Sequence, residues 1–121
     1  MKHLSIILVC LLLFSCKNKD DDTEPIDCTD IFVFGLTVQV RDITTGGIIL
    51  NNISVTATDG SYVEELVFTF DTFTGAGERP GNYILTIEAD GYVTRVTSEI
   101  QVDADECHVI PKFVEIQLQP L

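Results

Sequence analysis

Few residues in this chain could carry out a reaction. Its histidines are His3 and His108, and its four cysteines are Cys10, Cys16, Cys28 and Cys107. A hydrolytic relay needs an imidazole within hydrogen-bond reach of a hydroxyl or thiol, and beyond the first fifteen residues only His108 can supply one. Its neighbour Cys107 is the obvious nucleophile, but adjacent residues of an extended chain point to opposite faces and share a proton badly. His108 therefore reads as a structural histidine. Two cysteines and one histidine at these spacings do not compose a zinc set. Asp103 and Asp105, in "DADE", are weak candidates for holding a cation such as Ca²⁺, since the stretch lacks the spacing and glycine of an EF-hand loop; a solvated turn is expected, with no metal. "GAGERPG" at 75–81 has the glycines of a phosphate-binding loop without its lysine or following helix. The expectation is a protein with no catalytic residues and no cofactor, not an enzyme.

The two remaining cysteines direct attention to how the chain is handled. Residues 4–14 are an apolar run of about 11 residues, where a membrane-spanning helix needs roughly 20. Lys2 precedes it, and small Ser15 closes it before Cys16, the layout of a cleaved secretory signal. "LFSC" at 13–16 also resembles the lipobox of bacterial lipoproteins. That resemblance implies that Cys16 is diacylated on sulfur, becomes the new N-terminus after residues 1–15 are cleaved, and is acylated again on nitrogen. Two or three acyl chains hold a protein on a bilayer effectively permanently, whereas one does so only marginally.

Behind Cys16, residues 16–27 run "CKNKDDDTEPID", with two lysines, five acids, a proline and one large apolar residue. This composition cannot bury enough surface to fold. It reads as a flexible acidic tether with a reach of roughly 18 Å, stretched further by like-charge repulsion. Lys17 stands where an inner-membrane retention signal would have aspartate, so the expected destination is the outer membrane. The acids that follow resemble a surface-export signal, which favours outward display, with a periplasm-facing orientation as the alternative.

The chain carries 19 acidic and 7 basic residues among its 121, a formal net charge of −12. This balance argues against nucleic acid as a partner. The expected partners are the membrane, through the lipid anchor, and another envelope protein or a glycan. With Cys10 removed and Cys16 lipidated, Cys28 and Cys107 are left as an even pair in an oxidising compartment, which points to a disulfide. It would close a loop of about 79 residues and, on the chain-entropy account, contribute roughly 4 to 5 kcal/mol.

From residue 28 onward the apolar residues recur with period two, the signature of strands with one buried face. Phe32, Phe34, Leu36, Val38 and Val40 alternate along "DIFVFGLTVQV", and "TTGG" at 44–47 turns the chain. Ile53, Val55 and Ala57 form the next buried face, followed by "TDGS" at 58–61. "YVEELVFTF" at 62–70 also fits a short helix, but its β-branched and aromatic content favours a strand. "DTFTGAGERPGN" at 71–82 reads as a loop. Tyr83, Leu85, Ile87 and Ala89 give the most regular alternation, Gly91 turns the chain, 93–102 forms one or two strands, and 103–111 links to a last strand bearing Val114, Ile116 and Leu118. Short strands without a crossover helix predict an all-β fold, an antiparallel sandwich of about seven strands over residues 28–121.

"RPGNYILTIEADGY" resembles the P-G-x-Y-x-L-x-I-x-A-x-G-Y signature of carboxypeptidase regulatory-like domains, which are transthyretin-like β-sandwiches. "LTVQVRDITTGG" with "NNISVTAT" is similar to that family's first hairpin. The resemblance covers residues 34–118 and departs at Gln39, where a glycine is usual, and at Asn52 and Ile53. It implies an accessory module without catalytic residues, which agrees with the residue-level reading. The expected function is a non-catalytic structural or protein-interaction lipoprotein, with glycan or peptide binding as the alternative. The candidate contact surface is the 71–82 loop, through Phe73, Glu78 and Arg79, with Phe113 as a second exposed aromatic.

Cys16→Ser tests the anchor. The variant should leave the membrane fraction or accumulate as uncleaved precursor; detergent-dependent fractionation unchanged from wild type would contradict lipidation at Cys16.

Overall fold

A computed structural model describes residues 27–121, so Cys16, the expected signal segment 1–15 and all but the last residue of the expected tether 16–27 lie outside the described residues. The described chain is all-β. Its strands are β1 (Phe34–Asp42), β2 (Ile53–Asp59), β3 (Tyr62–Glu65), β4 (Val67–Thr69), β5 (Thr72–Gly77), β6 (Gly81–Ala89), β7 (Arg95–Val96), β8 (Ile100–Val102) and β9 (Lys112–Leu118). They form two sheets, one ordered β4-β5-β1-β9 and the other β3-β2-β6-β7, with β8 also pairing with β6.

The core lies between the sheets and comes from the alternation seen in the sequence. Leu36, Val38 and Val40 of β1, Val55 and Ala57 of β2, Tyr83, Leu85 and Ile87 of β6, and Ile116 and Leu118 of β9 are buried. Large apolar side chains of this kind contribute about 1.5 to 3 kcal/mol each when fully buried. The Tyr83 hydroxyl donates to the Arg79 carbonyl oxygen at 2.7 Å, so this buried ring brings no unpaired polar atom inside.

Most pairings are antiparallel, as expected, but β1 and β9 run parallel in an unbroken register from Leu36 opposite Lys112 to Asp42 opposite Leu118. The chain comes from β8 in the other sheet through residues 103–111 and enters β9 at the end where β1 begins. It must therefore run alongside β1 in the same direction.

Three local expectations are corrected. First, β1 begins at Phe34, and Phe32 and Phe34 are exposed, not part of the buried face; their rings pack edge to face with centroids 5.3 Å apart. Second, residues 62–70 form two strands in different sheets. Leu66 is the buried corner, its amide bonded to the Val55 carbonyl as the chain crosses between sheets. Third, residues 72–77 are strand β5, not loop. A side chain at Gly75 would collide with Leu66, and one at Gly77 would collide with the Phe32 ring. These glycines serve close approach, not bending.

The β4–β5 hairpin turns through Phe70 and Asp71. Phe70 has φ of 59° and is 90% exposed. Positive φ crowds the Cβ of any L-residue, and two-residue hairpin turns favour Gly, Asn or Asp there. Two substitutions should therefore move stability in opposite directions. Leu85→Ala should cost about 3 kcal/mol by opening a cavity, whereas Phe70→Gly should gain a few tenths to about 1 kcal/mol, both measured by denaturant unfolding.

Candidate functional site

The polar side chains singled out in the sequence gather at the end of the sandwich where β1 begins. Cys28 and Cys107 are bonded to each other, with Cα atoms 5.3 Å apart. This fastens residues 27–33 to the linker between β8 and β9. Beside it lies a cluster centred on Glu78, which follows β5. The Glu78 carboxylate accepts from the Val33 amide at 3.0 Å, from the Val109 amide at 3.2 Å and from His108 Nδ1 at 2.6 Å. One side chain thus ties together three chain segments that are far apart in sequence. Burial pushes its carboxyl up, but the His108, Val33 and Val109 bonds outweigh this and hold it below the usual carboxylate range.

His108 reaches further. Its Nε2 lies 3.1 Å from the Thr29 hydroxyl, completing a hydroxyl, imidazole and carboxylate chain. Sequence reasoning weighed His108 only against Cys107 and missed both partners, each of which comes from a distant segment. The order of groups is that of a nucleophile relay. The carboxylate, however, also holds two backbone amides, and the hydroxyl belongs to the strap fixed by the disulfide. The cluster therefore reads as a clamp.

Arg79 belongs to a second fixed group. It donates to Asp59 Oδ2 and to the Tyr83 hydroxyl, each at 3.0 Å, and its guanidinium lies 3.7 Å from the Tyr62 ring centroid. These contacts raise its pKa, the Tyr83 bond first and the Asp59 bond next. Phe73 on β5 points into the core, 4% exposed, its ring tilted against Phe68 with centroids 5.0 Å apart. The expected contact loop is thus corrected at Phe73, which is core, while Glu78 and Arg79 stay partly exposed, Glu78 holding the clamp and Arg79 bound to Asp59, Tyr62 and Tyr83. The segment reads as loop because its glycines and threonines suit turns, yet its outward threonines pair with neighbouring strands, Thr74 opposite Thr37 and Val67. Phe113 is 62% exposed on β9, as expected.

Asp105 accepts from the Cys107 and His108 amides at 2.8 and 2.9 Å, and Asp103 accepts from Gln101. The His108 and Cys107 amides hold the Asp105 carboxyl low. Here the "DADE" acids shape a turn, and among the described residues no group of three or more His, Cys, Asp or Glu is placed to hold a metal ion.

At the opposite end, Asp42 organises the turn after β1. It accepts from the Thr44 hydroxyl, the Tyr92 hydroxyl at 2.6 Å, and the Thr44 and Thr45 amides, and these bonds, the two hydroxyls foremost, hold it far below the usual carboxylate range. Two open grooves lie on this side. One, of about 380 Å³, is bounded by Asn52, Ser54, Glu88, Asp90 and Thr94; the other, of about 360 Å³, by Ile43, Val93, Arg95, Val96 and Gln117.

No known protein-family model matches the chain, and no curated protein matches it significantly.

Glu78, Asp42 and Asp105 all have carboxyl pKa values lowered by folding. A depressed carboxylate contributes stability that is fully present above its unfolded value, about 4, and is lost as pH falls through the folded value. Unfolding midpoints in urea should therefore drop steeply from pH 5 downward. Glu78→Gln should lower the midpoint at pH 7 and flatten that acid limb; a variant as acid-sensitive as wild type would contradict the clamp.

Proposed function

We propose that the chain is a lipid-anchored lipoprotein of the bacterial outer membrane, displayed outward on its acidic tether, whose sandwich docks another envelope macromolecule and turns over no substrate. The observation that carries this reading is the polarity of the domain. The first described residues, which the tether would join, are strapped by Cys28–Cys107 and the Glu78 clamp at one end. The open grooves and the exposed Phe70 lie at the other. β1, nine residues long, separates the two ends by about 30 Å. An anchored protein built this way presents its far end and its sheet edges to whatever lies beyond the bilayer.

The residue pattern of 34–118 supports a carboxypeptidase regulatory-like module, and the two-sheet architecture is compatible with it. On this reading the Thr29–His108–Glu78 chain is structural. Its carboxylate binds two backbone amides, and none of its three residues borders either groove.

A photo-reactive residue placed at Phe70 or Phe113 in the full-length, lipidated protein tests the proposal in intact cells. A discrete adduct from at least one position is expected. No adduct from either position would contradict docking. Ester hydrolysis by the purified protein that is lost in His108→Ala would contradict the non-catalytic reading.

A further inference from the structure

The four sheet edges are not equally protected. β4 is three residues long and ends at the strained Phe70 turn, and β3 is four residues long and ends at the Leu66 corner. β7 and β8 are short pieces separated at 97–99, where Thr97 folds back onto Leu85: its amide donates to the Leu85 carbonyl and its hydroxyl accepts the Leu85 amide. Short, kinked or interrupted edges are how sheets avoid pairing with other chains. β9 has none of these features, being seven unbroken residues beside β1.

The direction of its backbone groups follows from its bonds. The Leu118 carbonyl accepts the Ile43 amide on the β1 side. The Gln117 carbonyl accepts from Arg95, and the Gln119 carbonyl from the Val93 amide, on the other side. Backbone direction alternates along a strand, so Val114 and Ile116 bond to β1, while the amides and carbonyls of Phe113 and Glu115 and the Gln117 amide face outward along an edge that no other described strand pairs with.

Basic side chains outnumber acids there. Residues 27–121 contain four Lys or Arg residues, Arg41, Arg79, Arg95 and Lys112; Lys112 opens β9, and Arg41 and Arg95 reach it from beside it. Arg41 pairs with Glu115, the one acid within the strand. Among the described residues neither Lys112 nor Arg95 forms an ion pair, and with the Arg95 guanidinium seated on the Gln117 carbonyl they make a positive margin on a protein whose net charge is −12. The groove bounded by Ile43, Val93 and Val96 adjoins the Gln117 end of this edge.

We infer that the outer edge of β9, from Phe113 to Gln117, is a strand-addition site for an extended acidic segment of another polypeptide. The segment's backbone pairs with the outward groups of Phe113, Glu115 and Gln117. Its acids meet Lys112 and Arg95, and one apolar side chain enters the adjoining groove. This deepens the docking reading and rests on it, but it does not depend on lipidation.

The probe is a displayed library of random linear peptides selected on the disulfide-bonded protein, with selected sequences resynthesised and mapped by amide chemical shifts. Acid-rich peptides that shift the β9 amides are expected, bound more weakly as salt rises and lost when alternate peptide nitrogens are methylated. Glu115→Pro removes an outward donor without touching the β1 ladder and should weaken binding about tenfold or more. Glu115→Gln, which keeps the edge, should bind at least as well as wild type. Enrichment of basic peptides, shifts confined to other strands, or affinity indifferent to N-methylation would each overturn the site. If Glu115→Pro does not fold, the N-methylated peptides still decide. Failure here with an intact crosslink from Phe70 would leave docking in place and remove only this edge.

Discussion

The parallel pairing of β1 with β9 is the constraint on which the rest of the domain depends. It joins the first strand to the last, so it can form only after nearly the whole described chain has been brought together, and non-local pairings of this kind form late because loop closure precedes them. It also requires that β9 start where β1 starts. That places residues 27–33, the end of β5 and the 103–110 linker at one end of the sandwich. Three chain segments with exposed polar backbone meet there, and something must hold them.

The disulfide and Glu78 meet that need in complementary ways. The covalent link limits how far the Cys28 strap and the Cys107 linker can separate in the unfolded chain. The carboxylate then supplies acceptors for the Val33 and Val109 amides and for His108. A charged acceptor makes stronger bonds than a neutral one, which is why one side chain can organise this corner. Each member of the hydroxyl, imidazole and carboxylate chain also fixes backbone or lies on a fastened strap. At the far end Asp42 does similar work for the turn after β1, with Tyr92 reaching across from the turn after β6.

Where period-two alternation was strong, in Leu36 to Val40, Val55 to Ala57, Tyr83 to Ile87 and Val114 to Leu118, the sequence reading of the core was sound, because burial on one face leaves a direct trace in residue order. The pairing of Cys28 with Cys107 was also legible, since an expected export left them as an even pair. β5 was not, since Gly75 and Gly77 are small to make room for Leu66 and Phe32, and that reason is visible only once those side chains are placed. The parallel sense of β9 was hidden because strand periodicity carries no direction. Glu78 and Arg79 looked like loop charges because their partners Val33, Val109, Asp59 and Tyr62 are distant in sequence. Cys16, with the lipid anchor and tether expected from the sequence, falls among residues outside those described.

The fold and the docking edge both require β9 to be an edge strand paired with β1 alone among the described strands. Amide hydrogen exchange resolved by residue tests this directly. With the disulfide intact, the amides of Val114, Ile116 and Leu118 should exchange slowly, and those of Phe113, Glu115 and Gln117 quickly, in strict alternation along the strand. Uniform protection across 113–118, or slow exchange at the odd-numbered residues, would contradict the β1–β9 register and the open edge built on it.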